Sequence, residues 1–166
     1  MEISEQLIQS TAKKLGARLL MKRLRLATAE SCTGGWVAKV ITDIAGSSEW
    51  FECAIVSYSN ASKHDFLGVP EGLLLDHGAV SENTVLAMLK GLFERTRVDA
   101  GISISGIAGP DGGSVDKPVG TVWVAWGLRG QMAQTQMFRF DGDRNSVRLQ
   151  SVAAALDAML ELIENA

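Results

Sequence analysis

Hydrophobic positions along this chain switch between two spacings. Behind Ser4, a residue suited to capping a helix, Leu7, Ile8, Leu15, Leu19 and Leu20 return at intervals that put them on one side of a helix. Leu24 to Ala29 is a short apolar run that predicts a strand. Helical spacing resumes from Thr33 to about Ile44, and Ala45-Gly46-Ser47-Ser48 ends it. Glu52 to Tyr58 is short and β-favouring, a second strand. Asn60 can cap a short helix carrying Lys63, His64 and Phe66 that closes at Gly68, and Pro70 suits the first turn of another, to about His77. Ser81 then caps a long helix with Val85, Leu86, Leu89, Leu92 and Phe93 on its apolar stripe.

Ala100 to Ser105 predicts a third strand, which runs into a glycine-rich loop from Gly106 to Pro118. Two further strands, Gly120 to Leu128 and about Gln134 to Phe140, meet near Arg129-Gly130 as a hairpin. A last helix from near Asp143 carries Val147, Val152, Ala155, Leu156, Met159, Leu160 and Ile163. Five strands interleaved with helices predict a layered α/β domain, and the closing hairpin makes the sheet mixed.

Size and composition narrow the classes. The 166 residues suit one domain over 1–166 with a single well-covered core. The apolar share of 46% and charged share of 21% are those of an ordinary globular protein, and a net charge of −3 disfavours a nucleic-acid surface. Lys13, Lys14, Arg18, Lys22, Arg23 and Arg25 lie on and after an amphipathic helix and read as its solvated face. No apolar run is long enough to span a bilayer, and the acidic, polar opening Met1-Glu2-Ile3-Ser4-Glu5-Gln6 is unlike a secretory signal. Cys32 and Cys53 have neither metal-ligand nor disulfide-framework spacing, so a reducing cytoplasm is the expected compartment. No acidic pair or His/Cys cluster suggests a metal, and no cofactor is expected.

Chemistry gathers at the strand ends. Ser31 follows the first strand, Tyr58 ends the second and Gly106 follows the third, and ligands of α/β sheets collect beyond the carboxyl ends of parallel strands. A hydroxyl at a strand-to-helix turn sits beside the N–H groups of the first helical turn, here Thr33, Gly34 and Gly35, which can stabilise an oxyanion or hold a phosphate. Lys63 is a candidate base for Ser31 if burial depresses its pKa, with the Tyr58 hydroxyl nearby; the alternative is a solvated lysine. Cys32 is a rival nucleophile or a small buried residue. The loop Gly106-Ile107-Ala108-Gly109-Pro110-Asp111-Gly112-Gly113 lacks the ending of a Walker motif, yet its glycines can offer amides to a phosphate or a ribose. Arg144, with Arg148 a helical turn further, opens the last helix either as a phosphate clamp or in solvent. Trp123 and Trp126, three apart on a strand, face opposite sides. Exposed tryptophans and methionines suggest a homodimer.

Six segments carry a family resemblance: Ala29 to Gly35; Tyr58-Ser59-Asn60 with Lys63; His77-Gly78-Ala79-Val80-Ser81; Ser103 to Gly113; Lys117-Pro118-Val119-Gly120-Thr121; and Gly142-Asp143-Arg144. In this order the chain resembles the CinA C-terminal domain family, whose stand-alone members are bacterial nicotinamide-nucleotide amidohydrolases. The resemblance implies a layered α/β/α sandwich that hydrolyses the carboxamide of nicotinamide mononucleotide (NMN) to nicotinate mononucleotide and ammonia, without metal, in pyridine nucleotide recycling. It implies Ser31 as nucleophile, Lys63 as base and Tyr58 as an aid to proton transfer or to placing Lys63. Arg144, and less directly Arg148, would bind substrate, and Ser105, Gly106, Ala108, Gly109 and the loop to Gly113 would line the nucleotide site. A second reading is a catalytically inactive paralogue, a nucleotide-binding module that has no need of Lys63.

Overall fold

The computed structural model describes residues 3–166; Met1 and Glu2, at the head of the polar opening, lie outside the described residues. Helix α1 (Glu5–Lys22) is capped by Ser4, whose hydroxyl accepts from the Leu7 amide at 3.2 Å. It ends at Arg23 in the left-handed region (φ 57°), where the Leu24 amide turns back to the Leu19 carbonyl. That cap consumes Leu24, so β1 is Leu26–Glu30 and not 24–29. The buried face of α1 is Ile8, Ala12, Leu15 and Leu19; Leu20, expected inside, is exposed.

Next come α2 (Trp36–Thr42), a single 3-10 turn at Ser47–Glu49, and β2 (Phe51–Val56). Helix α2 opens three residues later than expected because Gly34 and Gly35 take positive φ in the turn before it. Strand β2 stops two residues before Tyr58. Helix α3 (Asn60–Leu67) is capped by Ser59, not Asn60, in a reciprocal box with Ser62. Helices α4 (Glu71–His77) and α5 (Glu82–Arg95) follow, the second capped by Ser81 as expected. Strands β3 (Ala100–Gly106), β4 (Thr121–Leu128) and β5 (Gln134–Arg139) lead to α6 (Arg144–Asn165), capped by Asp143. Among the described residues, no helix is long and apolar enough to cross a membrane.

The five strands form one mixed sheet in the order β2-β1-β3-β4-β5, with β1 parallel to both β2 and β3 and the last two pairs antiparallel. Side-chain parity sorts its two faces. Leu26, Ile102, Ile104, Val122, Val124 and Trp126 pack beneath α1, α2 and α6. Ala27, Ala29 and Ala125 point the other way, under α3, α4 and α5. Small residues on that second face bring α5 close: a Cβ on Gly101 would stand 2.8 Å from the Leu89 side chain. The result is an α/β/α sandwich. Trp123 and Trp126 face opposite layers as expected, but Trp50 and Trp126 are buried, so these tryptophans offer no exposed surface for a dimer.

Candidate active site

The carboxyl ends of the three mutually parallel strands lie side by side, and the chain beyond each end builds the site. Ser31 continues β1, its amide bonded to the Ile104 carbonyl of β3 at 3.0 Å, and Ser57 continues β2, its amide bonded to the Glu30 carbonyl at 2.8 Å. Parity decides which side chain goes where. Glu30, an even position, turns toward α2, and Ser31, the next residue, turns toward α3. From α3, Lys63 reaches back over the strand ends.

The Lys63 ammonium is the centre of the arrangement. Its Nζ lies 3.0 Å from Ser31 Oγ, 3.0 Å from the Ser57 carbonyl and 3.5 Å from the Tyr58 carbonyl. The side chain is 1% exposed. It pairs with no carboxylate among the described residues. Burial without a counter-charge lowers the Lys63 pKa below its ordinary 10.5, because the cation loses hydration that no anion replaces. A neutral amine within hydrogen-bonding distance of a serine hydroxyl can take its proton.

Around this pair a cleft of about 300 Å³ is lined by Ser31, Tyr58, Lys63, Ser105, the loop from Gly106 to Gly109, and Arg144. The Ser105 hydroxyl donates to the Ala79 carbonyl at 2.7 Å and ties β3 to the segment before α5. Gly106 must be glycine: a Cβ would stand 2.6 Å from the Val122 side chain and 3.1 Å from Cys32 Sγ. Arg144 spans the mouth, donating to the Gly109 carbonyl at 2.7 Å and to the Tyr58 hydroxyl at 3.0 Å.

Several expected site residues sit elsewhere. The Tyr58 phenol points at Arg144 and is well exposed; only its main-chain carbonyl meets Lys63. Thr33, Gly34, Gly35 and Arg148 do not line the cleft. The Thr33 hydroxyl and the Gly35 amide donate to the Glu30 carboxylate at 2.8 and 3.2 Å, and the Gly34 amide donates to the Ser31 carbonyl at 3.0 Å. The expected oxyanion donors at Gly34 and Gly35 are therefore already engaged. The amide of Cys32, which lines the cleft, donates to no oxygen among the described residues and is the candidate in their place. Arg148 turns inward to the carbonyls of Cys32 and Thr33. Cys32 is 5% exposed, and burial, the largest influence, drives its thiol pKa up to about 12, which removes it as a nucleophile near neutral pH. Ala79 and Val80 also line the cleft, and they and Glu30 had no role assigned from the sequence. The only local signal for Glu30 was its parity, one residue from Ser31 on a fully buried strand.

The model of the CinA C-terminal domain matches residues 8–163. The chain belongs to the CinA C-terminal domain family. Within it, this domain is 51% identical over 152 residues to the nicotinamide-nucleotide amidohydrolase PncC of Escherichia coli (strain K12), covering 92% of each chain. It is 48% identical over 164 residues to the protein of that name from Enterobacter agglomerans, covering 98% of this chain and all of that one. Its fold matches the crystal structure of a competence-damaged protein (CinA) superfamily protein from Klebsiella pneumoniae 700603 with a TM-score of 0.92 at 37% identity, over 96% and 99% of the two chains. The shared architecture accounts for the placement of the family motifs: five of the six segments quoted above contribute lining residues to the one cleft at the parallel strand ends.

Proposed function

We propose that this protein hydrolyses the carboxamide of NMN to nicotinate mononucleotide and ammonia through an acyl-enzyme on Ser31, a step of pyridine nucleotide recycling. The observation that carries the mechanism is the buried, carboxylate-free Lys63 Nζ at 3.0 Å from Ser31 Oγ. The substrate is that named by the relatives at about half identity.

In this reading neutral Lys63 takes the Ser31 proton as Oγ attacks the carboxamide carbon. The oxyanion is held by the free Cys32 amide of the turn, a contribution of about 3 kcal/mol for such a donor. Protonated Lys63 then delivers its proton to the departing amine, which leaves as ammonia. Water enters, gives a proton to Lys63 and attacks the acyl carbon, and Ser31 leaves with that proton, which restores the starting state. Arg144 and the amides of the glycine-rich loop receive the phosphate and ribose. Two free thiols, Cys32 and Cys53, suit a reducing cytoplasm. A homodimer is proposed on the exposed side chains of Met21, Leu75 and Met132, and sedimentation velocity would report it.

The test is incubation of purified protein with NMN, with ammonia and nicotinate mononucleotide measured together. Ser31→Ala is expected to lower kcat by about a thousandfold or more. Turnover near the wild-type rate in that variant would exclude the acyl-enzyme.

A further inference from the structure

The turn that presents Ser31 is held from behind by two charged side chains that never reach the cleft. Glu30 is fully buried. Its Oε1 accepts from Thr33 Oγ1 at 2.8 Å, the Gly35 amide at 3.2 Å and the Val37 amide at 3.0 Å, and its Oε2 accepts from Thr28 Oγ1 and the Ala38 amide, both at 3.1 Å. Five donors on one carboxylate fill the start of α2. From the α6 side, Arg148 donates through Nε to the Cys32 carbonyl at 3.0 Å and through Nη2 to the Thr33 carbonyl at 3.1 Å. Its guanidinium lies 5.2 Å from the centre of the Trp36 ring, which fixes the fork.

We propose that Glu30 and Arg148 are positioning residues for the Ser31 nucleophile. One holds the amides of the turn and the other holds its carbonyls, so each peptide plane from 32 to 35 has a single orientation. The geometry has a chemical consequence. Across the planar trans peptide joining Cys32 to Thr33, the carbonyl is turned to Arg148, so the Thr33 amide points away from it. Fixing that plane also fixes Cys32, whose own amide borders the cleft free of oxygen partners and available to an oxyanion. The carboxylate also occupies the helix start, so a substrate anion must bind at the Arg144 side of the cleft. The inference rests on the reading of Ser31 as nucleophile.

Two near-isosteric changes test it. In Glu30→Gln the new NH2 group faces the Ala38 amide, donor against donor; in Arg148→Met both carbonyls lose their partner. The probe is a fluorophosphonate, which reports an activated serine whatever its natural amide. The Oγ–P bond forms, the P–F bond breaks, fluoride leaves and the proton passes to Lys63. Both variants are expected to label at Ser31 roughly tenfold to a hundredfold more slowly than wild type, the loss typical of a misplaced reacting group. With NMN, kcat falls by a similar factor while KM holds, and Arg148→Lys recovers part of the rate. Circular dichroism confirms that each variant is folded. Wild-type labelling in the folded variants would overturn the proposal, and if Glu30→Gln does not fold, Arg148→Met decides it alone. A wild type that labels but leaves NMN intact would sink the amidohydrolase reading only. A wild type that resists the reagent would sink the claim that this turn holds an activated serine.

Discussion

Lys63 is held as a base by what its surroundings lack. Two main-chain carbonyls and a serine hydroxyl accept from Nζ, and no carboxylate compensates for its burial. Folded Lys63 therefore loses its proton at lower pH than the unfolded chain, whose lysine titrates near 10.5. Activity should rise with pH through the lowered value, and Lys63→Met should abolish both turnover and that limb of the kcat/KM profile. Between the folded value and 10.5 the unfolded state binds more protons, so stability also gains with rising pH in that window. Melting of wild type and Lys63→Met across the alkaline range checks the sign: only wild type should show this component. The neighbouring thiol behaves oppositely. With its pKa near 12, Cys32 stays protonated at neutral pH, so Cys32→Ala should keep turnover within a few-fold, and iodoacetamide at neutral pH should leave Cys32 unmodified by mass spectrometry.

At the scale of elements, the base depends on how closely α3 lies on α5. Gly91 faces the end of α3, where a Cβ would stand 1.7 Å from the Leu67 carbonyl oxygen. The obstruction is backbone and cannot rotate away. Gly91→Ala, which would favour an isolated helix by about 1 kcal/mol, is expected here to destabilise by about 3 kcal/mol or more and to lower kcat by moving Lys63 off Ser31. Chemical denaturation and steady-state kinetics on NMN measure the two effects. Helix α3, its cap at Gly68 and the Ser81 cap of α5 were legible from spacing and cap residues alone. Glycine at position 91 was not, since nothing near it in sequence shows that another helix's carbonyl lies against it.

For the molecule as a whole, the site belongs to the parallel half of the sheet, and the antiparallel half braces it. Loop 106–120 leaves β3 and returns to β4, and Lys117 pins it to the His77 carbonyl at 2.6 Å. Its ligand should therefore couple three layers at once. In Ser31→Ala, NMN at about a hundred times its Kd should stabilise the fold by about 2.7 kcal/mol, and Arg144→Ala should weaken that affinity. A thermal shift series over NMN concentration gives both numbers. An unchanged melting temperature at saturating NMN would contradict binding to the folded state.

The chain's own pattern determined the element order, the mixed sheet, the capping serines at 4 and 81, and the gathering of Ser31, Lys63 and the glycine loop at the strand ends. These follow from local periodicity, cap chemistry and the connection rules of parallel strands, all of which act over short stretches. Only tertiary structure decided how the turn after β1 divides its polar groups. Glu30 and Ser31 are adjacent in sequence, but sheet parity sends one to α2 and the other to α3. The amides expected for an oxyanion then go to a buried carboxylate, and Arg148 and Tyr58 find partners 116 and 86 residues away. Such pairings depend on distances across the packed layers, which no spacing along the chain encodes.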